Sequence, residues 1–74
     1  HNKNEEGNIV IGKHIGIDST DNIIYADSLI TTIGLKDTIV VQTDKATLVC
    51  HKDRVEEVKD IVRKLKENKM EEYL

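Results

Sequence analysis

The sequence predicts a mostly β module closed by one C-terminal α-helix. Three observations point there. Aliphatic residues are concentrated between Ile9 and Val49, in short runs rich in isoleucine, valine and threonine, the residue types that pack well on a pleated surface. Polar turn residues interrupt those runs at short intervals. Beyond Asp53 the apolar residues recur at helical spacing instead, forming one stripe.

In chain order, Asn4-Glu5-Glu6-Gly7-Asn8 reads as an opening turn and leads into a strand at about 8–11. A second strand at about 14–18 ends in Asp18-Ser19-Thr20-Asp21-Asn22, read as a solvated turn. Strands at about 22–25 and 29–33 flank the turn Ala26-Asp27-Ser28. Strands at about 38–42 and 46–50 follow Lys36-Asp37 and Thr43-Asp44-Lys45. Ile11, Ile17, Ile23, Leu29, Leu35 and Val41 are aliphatic at a spacing of six, which fits a β-helix built from six-residue faces. The small residue that such a repeat wants beside each aliphatic is present only at Gly12. A small antiparallel meander with period-two alternation gives the same spacing, so the residues alone leave both folds open.

The last segment, about 53–69, is amphipathic. Val55, Val58, Ile61, Val62 and Leu65 form its apolar face, expected to pack over the last strand edge or serve as an interface. Asp53 is the expected N-cap, with Glu56 three residues on as in a capping box, and basic residues gather towards the C-terminal end. The whole span 1–74 is read as one domain, with the strands at about 8–50 and the helix at about 53–69. A chain this short buries only about 60% of the surface its unfolded form exposes, so it gains from a partner surface.

Composition excludes several functions. A net charge of −3 supplies no basic field for a nucleic-acid backbone. No apolar run approaches the roughly 20 residues needed to cross a bilayer. The single cysteine, Cys50, rules out an internal disulfide and suits a reducing, cytoplasmic setting. The four glycines, at 7, 12, 16 and 34, form no phosphate loop, and Gly12 and Gly16 are read as serving tight backbone geometry. The oxygen-rich run from Asp18 lacks the glycine and the glutamate of a calcium loop, since Ile23 and Leu29 stand in their places. Cys50 and His51, adjacent on a strand, point to opposite faces and cannot meet at one atom, and His14 is expected on the surface. The chain is therefore expected to hold no catalytic, cofactor-binding or metal-binding residue.

Several blocks carry a resemblance. Gly7-Asn8-Ile9-Val10-Ile11-Gly12 with Ile17-Asp18-Ser19, then Thr32-Ile33-Gly34-Leu35-Lys36-Asp37-Thr38-Ile39-Val40-Val41, then Ala46-Thr47-Leu48-Val49-Cys50, and Asp53-Arg54 with Glu57-Val58-Lys59 resemble the C-terminal part of bacterial mannose-1-phosphate guanylyltransferases. The resemblance covers nearly the whole chain. It departs at Thr43-Asp44-Lys45-Ala46, where the family has Thr-Pro-Asp-Ala. The resemblance implies a short single-stranded left-handed β-helix with one terminal helix, following a nucleotidyltransferase domain. That upstream domain would be the partner and would use a divalent metal such as Mg to make GDP-mannose and pyrophosphate from GTP and mannose 1-phosphate. This module would be its non-catalytic linker or packing domain, with homodimer contacts as a further expectation. The competing expectation is a free-standing self-association module that uses a sheet edge or the helix stripe.

Overall fold

The computed structural model describes residues 2–74, so His1 of the expected 1–74 domain lies outside the described residues. Six strands, β1 (Ile9–Ile11), β2 (His14–Ile17), β3 (Ile23–Tyr25), β4 (Ile30–Ile33), β5 (Thr38–Gln42) and β6 (Thr47–His51), are followed by a 3-10 turn at Lys52–Glu57 and the helix α1 (Val58–Glu67). The chain winds. β1, β3 and β5 stack in parallel on one side, β2 and β4 stack in parallel on another, and a Thr20–Lys36 bridge aligns the third corner. Parallel pairing between alternate strands excludes the antiparallel meander. Only the final hairpin, β5 with β6, is antiparallel.

The repeat differs from the expected six. Ile9 pairs with Ile23, 14 residues on, and Ile23 with Ile39, 16 on, so each coil is shorter than three six-residue faces. Consequently Ile11, Ile17 and Leu29, expected to point inward, are exposed. The buried apolar residues are Ile24 and Val40, which pair across β3 and β5 and continue a column begun by Val10.

Beside that column the interior is polar. Asn8, Asn22 and Thr38 occupy equivalent positions in successive coils, immediately before Ile9, Ile23 and Ile39, and all three are buried. Asn8 Oδ1 accepts from Asn22 N–H at 2.8 Å and Asn22 Oδ1 from Thr38 N–H at 2.9 Å. Their amide nitrogens donate to the carbonyls of Ser19 and Leu35, both at 2.9 Å. Asn22, expected in a solvated turn, is thus 0% exposed, because backbone groups at the coil corners would otherwise be buried without partners. Asn4 ends the ladder: its Oδ1 accepts Asn8 N–H at 2.9 Å, as a preceding coil's asparagine would.

The corners turn on left-handed residues. Gly7, Asp21 and Asp37, directly before the ladder positions, have φ of 81°, 57° and 52°. Aspartate is among the few side chains that tolerate this conformation, which explains why two corners dispense with glycine. Gly12, φ 102°, has a second reason: a Cβ there would run into the Ala26 carbonyl oxygen of the next coil.

The helix start departs from expectation. His51, not Asp53, is the cap, and its Nδ1 accepts Asp53 N–H at 3.1 Å. Arg54 adopts φ −120°, a kink inside the 3-10 segment Lys52–Glu57 that breaks the helical path ahead of α1, and no capping box forms with Glu56. At the other end Lys69 is left-handed, Met70 N–H reaches Leu65 O and Lys69 N–H reaches Lys66 O. That Schellman closure stops the helix at Glu67 rather than at 69.

Candidate functional site

The densest group of polar side chains sits at the N-terminal mouth of the coil, around a cavity of about 170 Å³ bordered by Asn4, Glu6, Asn8, His14, Asp18 and Ser19. β2 supplies His14, β4 supplies Thr32, and the corner after β2 supplies Ser19. Expected on the surface, His14 is half-buried and bonded through Nε2 to Thr32 Oγ1 at 2.8 Å. Gly16 makes room for this contact, since a Cβ there would press on the His14 ring and the Thr32 hydroxyl. Thr32 Oγ1 lies 2.6 Å from Ser19 Oγ, which in turn donates to Ile17 O at 3.2 Å.

A hydroxyl has one proton, so Ser19 Oγ donates either to Ile17 O or to Thr32 Oγ1, and the order along the chain of bonds follows the tautomer of His14. Ser19 is 3% exposed, and Thr32 stands between it and the His14 ring. The network holds two coils together.

The other candidates are separate. Cys50 is half-buried on the face of β6 shared with Leu48, its Sγ donating to His51 O at 3.1 Å, while the His51 ring is engaged by Asp53 N–H. No thiol–imidazole contact exists between them. Asp18 and Asp21 are left-handed corner residues, while Ser19 donates through Oγ to Ile17 O and accepts Asn8 Nδ2–H at its carbonyl. Among the described residues no three His, Cys, Asp or Glu side chains converge on a point that would hold a metal ion.

The remaining feature is apolar. Val58, Val62 and Leu65 are half-buried, Val55 and Ile61 are about half exposed, and no residue of α1 is buried. The stripe looks across an open groove of about 410 Å³ towards Val41 and Leu48 of the β5–β6 hairpin, with Met70 at its end. The apolar face of α1 is thus only half covered within this chain. Between Arg54 and Glu57 a two-pronged hydrogen bond, 2.6 Å on each side, holds the Glu57 carboxyl below the usual carboxylate range and fixes the bend into α1.

The ladder residues Asn8, Asn22 and Thr38 and the Ser19–Thr32 pair escaped the sequence reading. A signal existed: Gly7-Asn8-Ile9-Val10, Asp21-Asn22-Ile23-Ile24 and Asp37-Thr38-Ile39-Val40 repeat one pattern. The spacing between copies is unequal, because the second coil carries two extra residues between its strands, and a fixed-period search passes over it.

Comparison with known proteins gives a concordant result. Residues 12–65 match the family model described as MannoseP isomerase/GMP-like β-helix domain. The mannose-1-phosphate guanylyltransferase of Escherichia coli is 38% identical over 69 residues, which is 92% of this chain and 14% of that protein. The mannose-1-phosphate guanylyltransferase RfbM of Salmonella typhimurium is 41% identical over 73 residues, 97% of this chain and 15% of that protein. A crystal structure described as mannose-1-phosphate geranyltransferase from Thermus thermophilus superposes with a TM-score of 0.78 at 28% identity, over 86% of this chain and 20% of that one. The chain thus spans about a seventh of the length of the curated relatives it matches. With parallel coils, an interior ladder and a family match over most of its length, the chain belongs to the MannoseP isomerase/GMP-like β-helix domain family.

Proposed function

We propose that this chain acts as the non-catalytic β-helix domain of a cytoplasmic enzyme that transfers GMP from GTP to mannose 1-phosphate. The observation that carries this reading is that its relatives are named as guanylyltransferases while the chain matches only their β-helix portion. Inside the coil, hydrogen-bonded asparagines and stacked aliphatics occupy the interior with one another. GTP, mannose 1-phosphate and the divalent ion belong to the nucleotidyltransferase domain. The apolar face of α1, Val55, Val58, Ile61, Val62 and Leu65, is the packing surface for that domain, whose presence would cover a stripe that stays half exposed here. The coil winds left-handed, against the usual crossover rule. That assignment follows from family membership and is tested by the hand seen in an experimental density map.

Incubating the chain with GTP, mannose 1-phosphate and Mg²⁺ should release no pyrophosphate above a protein-free blank. Turnover that is lost on heat denaturation of the chain would overturn the proposal.

A further inference from the structure

We propose that the C-terminal segment 70–74 is a strap that folds back over the groove between α1 and the β5–β6 hairpin and holds α1 in its helical form. The helix needs such support. It is 10 residues long and buries none of them, and isolated helices shorter than about 12–15 residues are marginal in water. A helix of this length persists where its apolar face is packed. The kink at Arg54 also denies it a continuous helical turn on its N-terminal side.

The path of the chain brings the segment back. Lys69, with φ 59°, reverses the backbone, and the bonds from Met70 N–H to Leu65 O and from Lys69 N–H to Lys66 O fix the direction in which the tail leaves α1. A 3-10 turn, Glu71–Tyr73, follows, tied by Tyr73 N–H to Met70 O at 3.2 Å and by Leu74 N–H to Glu71 O at 3.1 Å. Side chains three apart in such a turn stand on one side, so Met70 and Tyr73 stand together. With Leu74 they border the same groove as Val58, Val62 and Leu65 of α1. Met70 beside Leu65 is the apolar contact that accompanies a Schellman closure. Tyr73 and Leu74 have no part in that closure, and their place at the groove gives α1 a contact beyond its cap.

Met70, Tyr73 and Leu74 each stay about half exposed, so the strap lies along the rim of the groove and leaves it open. A strap seated in this way can lift. A partner that packs on the α1 stripe takes the place of Tyr73 and Leu74, and the tail then sets how readily the stripe is offered. That consequence rests on the stripe being a packing surface for another domain; the strap itself does not.

Hydrogen exchange followed by NMR on the full chain tests the strap. In the double variant Tyr73→Ser/Leu74→Ser the helical amides of residues 62–67 should exchange about tenfold faster than in the parent, or more, while the amides of β3 and β5 keep their rates. Met70 and the backbone bonds of the closure are untouched in this variant, so the change reports the strap and not the cap. Unchanged exchange in α1 overturns the proposal. So does an equal acceleration in β3 and β5, which would make Tyr73 and Leu74 a support of the whole molecule and not of the helix.

Discussion

Asn22 is the residue on which the stack turns. Its side chain bonds above to Thr38 N–H and sideways to Leu35 O, and its own N–H bonds to Asn8. Among the described residues no buried side-chain polar atom lacks a partner, and Asn8 and Asn22 each bond through both Oδ1 and Nδ2. Asn22→Ala orphans the buried Thr38 N–H and leaves Leu35 O with the Thr20 N–H alone, and should cost about 2–3 kcal/mol in urea unfolding. Asn4→Ala removes a bond at the exposed end of the same ladder and should cost about 0.5–1.5 kcal/mol. Equal losses from the two would mean that burial does not set the strength of the ladder. The left-handed corners sort in the same way. Gly12→Ala combines a disfavoured φ with a clash on Ala26 and should cost at least about 1–3 kcal/mol. Gly34 faces open space, and its counterpart one coil earlier is the left-handed Asp18, so Gly34→Asn should stay within about 0.5 kcal/mol of the parent in the same unfolding experiment.

At the scale of elements, strand composition and turn residues placed all six strands to within about a residue at each end, because β-branched runs between polar corners are a local signal. What joins them was harder to read. The ladder depends on residues 14 and 16 apart, and that inequality hid the recurrence of asparagine and threonine before isoleucine. The helix was legible in its apolar period, but its start was not. Asp53 is a good cap by type, yet the chain leaves β6 through His51, whose ring accepts the amide first. The Arg54–Glu57 pair then carries the bend, and it has a pH signature. Glu57 titrates lower in the folded chain than unfolded because Arg54 bonds to its ionised form. Its contribution is complete above the ordinary carboxylate range and is lost as the pH falls through the lowered value. Acid titration followed at the helical circular-dichroism band should therefore show a loss of signal that Glu57→Gln abolishes; an unchanged titration in that variant would place the acid sensitivity elsewhere.

For the whole molecule, construction and role follow from the same economy. The core has a small cross-section, and its polar half is spent on its own backbone. The bonds from His14 through Thr32 to Ser19 tie the first coil to the second. The family resemblance read from the Thr32–Val41 and Asp53–Lys59 blocks carried the β-helix reading that periodicity alone left open, and the match over residues 12–65 supports it. The apolar face of α1 is left half exposed. The central claim is that the coil is a filled scaffold that binds no substrate, and a ¹⁵N–¹H NMR titration of the chain with GTP and mannose 1-phosphate in the presence of Mg²⁺ tests it most directly. The amide resonances of Asn8, His14, Ser19, Asn22 and Thr32 should not move. Saturable shifts centred on those residues would contradict the account.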